Sequence, residues 1–233
     1  MVKIYEVGGS VRDSFLNTPT KDYDYCVEAD SYEQMKQFLV DDGLEIFLET
    51  PEYFTIRGFN RKKYPLAADY VWCRVEGPYS DGRHPDWVKP GTLLDDLSRR
   101  DFTCNAIAKD VDTGRIIDPF NGQKDIASFT IRCVGNVEDR MREDALRMLR
   151  AIRFCITKNM RISREITEFI DNVDNINLLK NISSERIREE LRKCFEFDTN
   201  STLEVLERFK YLRFFIFNNT NIWLMPTQEK RKK

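Results

Sequence analysis

Two aspartates near the start of the chain have the spacing of a metal-binding pair. Asp22 and Asp24 lie in the segment DYDYCVE, whose alternation of polar and apolar residues predicts a strand. Alternate residues of a strand share one face, so the two carboxylates are expected to lie about 7 Å apart. Such a pair can hold two Mg²⁺ ions, which activate an attacking hydroxyl and stabilise a leaving pyrophosphate. Because an Asp-x-Asp pair is also common on solvated strand faces, this interpretation needs support from other residues.

A glycine pair upstream of these aspartates predicts a phosphate-binding turn. Gly8 and Gly9 follow the predicted strand Lys3 to Val7 and precede a predicted helix that contains Arg12. Glycines let backbone N–H groups approach a triphosphate, and a helix N-terminus favours its negative charge. A plain tight turn would explain Gly-Gly alone, but the order strand, Gly-Gly, Arg, Asp-x-Asp favours a phosphate site. The sequence lacks the motifs of a Walker loop and of a dinucleotide-binding fold.

Asp69 is a candidate third carboxylate. It stands just before the apolar segment Tyr70 to Cys73, which predicts a neighbouring strand. A third acid from an adjacent strand would help to hold two metal ions. Taken alone, Asp69 is more typical of an ordinary acid at a strand edge.

The composition excludes several classes of site. The single histidine, His84, excludes a site that needs several histidines. None of the six cysteines forms a CxxC pair, so we expect buried free thiols and a cytoplasmic protein. No apolar run approaches the ~20 residues needed to span a membrane, and no signal peptide is indicated. Carboxylates dominate residues 28–52 and arginines crowd residues 140–164, which suits an enzyme that holds metal and a polyanion.

The elements that position these residues predict an α+β region followed by an all-α region. The expected fold is a small mixed sheet with helices on one side, then a helical neck and a short body. The expected strands span 3–7, 22–28, 54–58, 68–74 and 115–118, and the expected helices span 11–16, 31–41, 93–108, 138–154, 163–170, 183–195 and 201–211. Glycine and proline make residues 77–91 a predicted mobile loop, with His84 exposed in it. In DFTCNAIA, we expect helix packing and a backbone contact for Asn105.

Several long motifs together resemble those of a known family. GGSVRD followed by KDYDYCVE is similar to the signature of the class II tRNA nucleotidyltransferases and bacterial poly(A) polymerases. Further blocks resemble that family in the same order: RVEGPYSDGRHP, LLDDLSRRDFTCNAIA, IIDPFNGQKDI and REDALRMLRAIRF. The resemblance covers residues 1–162, with no comparable match beyond. It implies a polymerase-beta-like nucleotidyltransferase head in residues 1–135, a nucleotide-selecting neck in 136–180 and a short body in 181–233.

The resemblance also implies the roles of residues in the head. Asp22 and Asp24 would hold Mg²⁺, with Asp69 as the third catalytic carboxylate. The glycine turn of Gly8 and Gly9 would bind the nucleotide. Its triphosphate would be contacted by Gly9 and Arg12, and Arg100 would help to secure it.

In the neck, the resemblance implies that Asp144 and Arg147 read the incoming base as a protein template. Arg150 and Arg153 would assist with the base or the phosphates. Asp144 and Arg147 are expected at i and i+3 of one helix, so they neighbour each other on one face. A carboxylate accepts from the amino group of C or A, and an arginine donates to the ring acceptor, whereas G and U leave polar groups unpaired. The alternative is an ordinary salt bridge on a solvated helix.

The function implied is addition of CCA to the 3′ end of tRNA from CTP and ATP. A CC-adding, A-adding or poly(A)-polymerizing relative shares the same motifs, and a non-catalytic RNA-binding remnant is a further alternative. By resemblance, CC-adding forms lack a mobile loop after the third head strand. Residues 76–89 fill that place here, which favours an enzyme able to add A. Family members are usually longer, so the grip on tRNA and the oligomeric state stay open.

Overall fold

The computed structural model describes residues 2–20, 22–60, 67–80 and 85–219. His84 and the lysine-rich C-terminus therefore lie outside the described residues. The chain forms two compact units: Met1–Ser80, His84–Ser128 and Arg132–Gly135 make the first, and Asp81–Arg83, Phe129–Ile131 and Asn136–Lys233 make the second. Within the described ranges, no helix has both the length and the apolar character to cross a membrane.

The first unit is built on a seven-stranded mixed sheet. Its strands and a separate two-stranded hairpin are β1 (Lys3–Val7), β2 (Tyr23–Glu28), β3 (Glu45–Thr50), β4 (Thr55–Phe59), β5 (Ala67–Trp72), β6 (Arg74–Glu76), β7 (Val88–Pro90), β8 (Ala108–Asp110) and β9 (Ile116–Ile117). The order across the sheet is β3-β4-β5-β2-β1-β8-β9, and β6 pairs with β7. Only β2 and β5 are parallel neighbours, so these two strands end at the same edge. The sequence did not predict β3.

Helices cover both faces of this sheet, so the expectation of helices on one side was wrong. The helices of the first unit are α1 (Gly9–Phe15), α2 (Tyr32–Asp41), α3 (Leu93–Ser98) and α4 (Gly122–Ala127). Met35 of α2 is buried with Tyr25 of β2. Leu97 of α3 is buried with the next residue of that strand, Cys26. Successive strand residues point to opposite faces, so a strand buried on both faces needs a helix on each side.

The predicted helix over 93–108 is wrong beyond Ser98. A capping box between Thr92 and Asp95 begins α3, but the apolar residues after it enter a short 3₁₀ turn, Thr103–Asn105, and then β8. Phe102 is fully buried and forms a backbone bridge with Cys133, which requires extended backbone at that point. The apolar residues of DFTCNAIA are thus buried within a 3₁₀ turn and at the start of a strand, and not in a helix.

The predicted loop of residues 77–91 has a structured stem. Strands β6 and β7 pair in antiparallel fashion, and the Gly77 amide donates to the carbonyl of Trp87 at 2.9 Å. A Cβ at Gly77 would lie 2.5 Å from the Trp87 ring, so any other residue here would have to displace this indole. Residues 81–84 at the tip lie outside the described residues.

The second unit is helical, as predicted, apart from a two-stranded parallel ladder of β10 (Thr130–Ile131) and β11 (Arg161–Ile162). Its helices are α5 (Val137–Glu143), α6 (Leu146–Thr157), α7 (Arg164–Ile170), α8 (Val173–Ile176), α9 (Ser184–Phe197), α10 (Thr199–Arg208) and α11 (Lys210–Asn219). The single helix predicted over 138–154 is broken at Asp144, whose backbone is extended. The α+β character of the chain is confirmed.

All six cysteines are free thiols, as the sequence predicted. Five are buried, and Cys155 is half-buried. Burial raises the pKa of Cys104 and of Cys194 to about 12, so both stay protonated at neutral pH.

Candidate active site

The structure brings two of the predicted carboxylates side by side. Asp24 on β2 is the direct partner of Asp69 on the parallel strand β5, and Asp22 immediately precedes β2. Burial raises the pKa of Asp24, and Asp69 and Asp22 raise it further, whereas Arg100 acts in the opposite direction. Like charges in a partly buried site repel each other, so this edge of the sheet favours a cation.

Asp69 has a basic partner that the sequence did not reveal. Its Oδ1 lies 3.1 Å from Nε of Arg57 on β4, the strand on its other side. Burial raises the pKa of Asp69, Arg57 lowers it, and Asp22 adds to the increase. Among the described residues, no three His, Cys, Asp or Glu side chains are already arranged to hold a metal ion. In this arrangement the Asp69 carboxylate forms an ion pair with Arg57.

The glycine turn lies against the same carboxylate. Gly8 has φ 75° and ψ −131°, a conformation that other residues adopt only under strain. A Cβ placed on it would lie 3.1 Å from Nη1 of Arg100 and 3.5 Å from Oδ2 of Asp24. A Cβ on Gly9 would lie 3.5 Å from Nη2 of Arg12. The turn, one acidic side chain and two arginines from separate motifs therefore meet in one place.

Arg12 is buried and held by protein partners. Its Nε donates to Asp13 at 2.9 Å, and its Nη1 donates to Oδ1 of Asn105 at 2.5 Å. The Asn105 side chain also donates to Asp101 at 2.9 Å, so the expectation of a backbone contact for Asn105 was wrong. These contacts orient the guanidinium of Arg12 beside Gly9.

Arg100 is anchored by a carboxylate that the sequence reading overlooked. Its Nη2 lies 3.0 Å from Oδ2 of Asp96, and its Nη1 donates to the carbonyl of Asn105 at 3.4 Å. Asp96 is fully buried, and its distance of four residues from Arg100 was a signal available in the sequence. Burial opposes ionisation of Asp96, but Arg99 and Arg100 outweigh it and hold its pKa far below the usual range.

The predicted base-reading residues of the second unit do not lie on one helix. Asp144 lies between α5 and α6, where its Oδ1 accepts from the amide of Leu146 at 3.0 Å and its Oδ2 lies 2.9 Å from Nη2 of Arg186. Arg147 instead contacts Glu143 at 2.7 Å. The expectation of neighbours on one helix face fails because Asp144 has extended backbone and precedes α6, where its side chain accepts from the Leu146 amide.

The other two predicted arginines of this unit share one buried acid. Nε of Arg153 lies 2.5 Å from Oε2 of Glu190 on α9, and Nη1 of Arg150 lies 4.0 Å from Oε1. Arg153 also stacks over Phe154, with 4.4 Å between its guanidinium carbon and the ring centroid. Neither Glu190 nor Arg186 has a local signal in the sequence, because both come from a helix some forty residues downstream.

A comparison of the sequence with family models identifies the first unit. Residues 4–132, more than half of the chain, match the poly A polymerase head domain. The chain belongs to this family. Residues 159–216 match a second model, described as the probable RNA and SrmB-binding site of polymerase A. The expectation of no comparable match beyond residue 162 was therefore wrong.

Curated relatives of this family member include CCA-adding enzymes. That of Lactobacillus johnsonii is 41% identical over 192 residues, which cover 81% of this chain and 45% of the relative. That of Enterococcus faecalis is 39% identical over 197 residues, which cover 81% and 44%. The chain thus spans about half the length of the curated relatives it matches.

Solved structures show the same fold. The Bacillus stearothermophilus CCA-adding enzyme in complex with CTP superposes with a TM-score of 0.74 at 34% identity, covering 88% of this chain and 47% of that one. A tRNA nucleotidyltransferase complexed with a primer tRNA and an incoming ATP analog has a TM-score of 0.76 at 30% identity, covering 93% and 60%. The predicted nucleotidyltransferase fold is confirmed.

Proposed function

We propose that this chain carries the nucleotidyltransferase centre of a CCA-adding enzyme. It transfers CMP and AMP from CTP and ATP to the 3′ end of tRNA and releases pyrophosphate. One observation carries the proposal: a strained glycine turn, a half-buried aspartate and an anchored arginine meet at one edge of the sheet. This is the arrangement needed to hold a triphosphate beside a metal ion. The related CCA-adding enzymes, including one solved with CTP, supply the substrate class.

The carboxylates fit Mg²⁺ by their chemistry. Burial and two neighbouring acids raise the pKa of Asp24. In the described structure, neither Asp22 nor Asp24 lies within ion-pair distance of a basic side chain. We assign both as metal ligands, with Asp69 as a third catalytic carboxylate that must exchange Arg57 for the metal. Bound Mg²⁺ would supply charge stabilisation for the attacking and leaving oxygens.

The protein's own groups position the nucleotide. The turn at Gly8 and Gly9 lets the triphosphate approach the backbone, because neither residue presents a side chain there. Arg100, held by Asp96, and Arg12, held by Asn105, place fixed positive charge beside the turn. Fixed donors stabilise developing negative charge on the phosphates without reorganising during the reaction.

In this proposal, residues of the second unit select the base. Asp144 and Arg147 read the base edge, and Arg150 and Arg153 support the base or the phosphates. Each of the four already has an ionic or hydrogen-bonding partner within its unit. Nucleotide binding must therefore exchange some of these contacts for contacts with the base, which makes an unmatched base costly.

A poly(A)-polymerizing relative is the second candidate, because the matching family model is that of the poly A polymerase head domain. The test is incubation of the protein with Mg²⁺, each NTP in turn, and tRNA that lacks one, two or three 3′-terminal nucleotides. The proposal predicts C on the two shorter ends, A on the longest and then arrest. Extended A tails on any end would support the second candidate, and incorporation on none would support an RNA-binding remnant.

A further inference from the structure

A buried network of charged side chains lies under the candidate nucleotide site of the first unit. Two of its members are carboxylates that are almost inaccessible: the Asp96 side chain is 0% exposed and that of Glu76 is 4% exposed. The other members are guanidinium groups that are mostly buried: Arg74, Arg99 and Arg100. Charges removed from water at this density persist only when their geometry is well matched, so each contact has a consequence for the others.

Asp96 divides its two oxygens between consecutive arginines. Its Oδ1 accepts from Nε of Arg99 at 3.0 Å and from Nη2 of Arg99 at 2.5 Å. Its Oδ2 accepts from Nη2 of Arg100 at 3.0 Å and from the Cys26 thiol at 2.8 Å. Nε of Arg100 is buried and has no hydrogen-bond partner. Arg100 is therefore held mainly through Oδ2 of this one carboxylate, with weaker contacts to Asn105 and Cys26.

Glu76 ties the same network to the hairpin stem. It is the last residue of β6, and its Oε1 accepts from Nη1 of Arg99 at 2.9 Å and from Nε of Arg74 at 2.8 Å. Its Oε2 accepts from the hydroxyl of Tyr79, beyond the stem. Burial would raise the pKa of Glu76, but Arg99 and Arg74 outweigh it and keep the pKa lowered. Arg99 thus joins Glu76 to Asp96.

We propose that Glu76 is a positioning residue for nucleotide binding and acts on Arg100 through Arg99 and Asp96. Arg99 and Arg100 share the Asp96 carboxylate, and Arg100 lies beside Gly8. Removal of the Glu76 charge takes one acidic contact from Arg99, which then draws more strongly on Asp96. Asp96 then turns toward Arg99, and Arg100 loses the contact that holds it beside the turn. This inference rests on the proposed role of Arg100 in holding the triphosphate.

The test is a double-mutant cycle on the dissociation constant for CTP, measured by calorimetry with Mg²⁺ and without RNA. The four proteins are wild type, Glu76→Gln, Arg100→Lys and the double variant. Lysine keeps the charge of Arg100 but loses its planar fork of donors. We expect Glu76→Gln to weaken CTP binding about tenfold in the wild-type background and less than about twofold beside Arg100→Lys. Glu33→Gln, an exposed glutamate of α2, is the matched control and should bind CTP like wild type.

The outcomes separate this proposal from the proposed function. An equal loss in both backgrounds, or no loss from Glu76→Gln, overturns the coupling through Arg100. If Arg100→Lys alone binds CTP like wild type, the assigned role of Arg100 is wrong, and the coupling falls with it. Should Glu76→Gln fail to fold, Tyr79→Phe removes a single contact to Glu76 and replaces it in the cycle, with a smaller loss expected. A Tyr79→Phe effect that persists beside Arg100→Lys likewise overturns the proposal.

Discussion

The two units of the chain treat their charged residues differently. In the first unit, within the described residues, Asp22 and Asp24 have no basic partner at ion-pair distance, and Arg99 and Arg100 share the carboxylate of Asp96. In the second unit, the residues predicted to read the base are all engaged: Asp144 with Arg186, and the arginines with Glu143 and Glu190.

This difference indicates two kinds of site. Neighbouring carboxylates that raise each other's pKa indicate a cation that binds between them, and an arginine held beside a glycine turn indicates an anion. Residues that already have ionic partners instead indicate a site in which these contacts are exchanged for contacts with the nucleotide. Substitution of charged residues in the first unit is therefore expected to lower catalytic activity. Substitution of those in the second unit is expected to lower stability and nucleotide selectivity.

The largest effect on stability is expected from Glu190→Ala in the second unit. Glu190 is buried, and its removal leaves Arg153 without this acid at 2.5 Å. An uncompensated buried charge costs about 3–5 kcal/mol in the free energy of unfolding. Urea denaturation measures this, with Glu189→Ala as control, because Glu189 is an exposed neighbour and its loss should change little. Equal effects of the two variants would show that the Glu190 cluster is not structural.

A smaller effect is expected from Gly8→Ala in the first unit. The positive φ and the nearby Arg100 and Asp24 together predict a loss of about 1–3 kcal/mol and weaker CTP binding. Gly114→Ala is the matched control: its φ is +71°, but nothing lies within 4 Å of the added Cβ. It should lose about 1–2 kcal/mol from backbone strain alone and leave CTP binding unchanged. If both variants weaken CTP binding alike, the turn has no specific role.

The smallest effect on stability is expected from Asp144. Asp144→Ala removes the cap on the Leu146 amide and the partner of Arg186, which costs about 0.5–2 kcal/mol, whereas Asp144→Asn keeps the cap and loses less. Both variants should relax selectivity among CTP, ATP, UTP and GTP, measured as the ratios of kcat/KM. Unchanged ratios with reduced stability would leave Asp144 as a helix cap and pass the template role to other residues.

Much of the fold follows from local patterns in the sequence. The predicted strands over 3–7 and 22–28 correspond to β1 and β2, and the predicted helix over 31–41 corresponds to α2, which Ser31 caps by accepting from the amide of Gln34. Periodicity failed where an apolar run is buried without a helix, as after Ser98, and where a polar side chain interrupts a helix, as at Asp144. In both places contacts with distant residues override the local preference.

The candidate site followed from the sequence only in part. Asp22, Asp24 and the glycine pair lie close together in the sequence, so their order along the chain indicated the chemistry. The partners of the other site residues come from other elements: Arg57 pairs with Asp69, and Asn105 accepts from Arg12. Partners of this kind depend on strand order and on the 3₁₀ turn, which periodicity does not specify.

If Asp24 belongs to a catalytic carboxylate centre, Asp24→Asn must slow the incorporation of CMP into truncated tRNA. We expect a loss of about a thousandfold or more in this rate, because several kcal/mol of charge stabilisation disappear with a metal ligand. The raised pKa means that ionised Asp24 destabilises the fold at neutral pH, so Asp24→Asn should melt at the wild-type temperature or above it. Asp112→Asn, in an exposed turn, should match wild type in both respects. Incorporation by Asp24→Asn near the wild-type rate at saturating Mg²⁺ would contradict the claim.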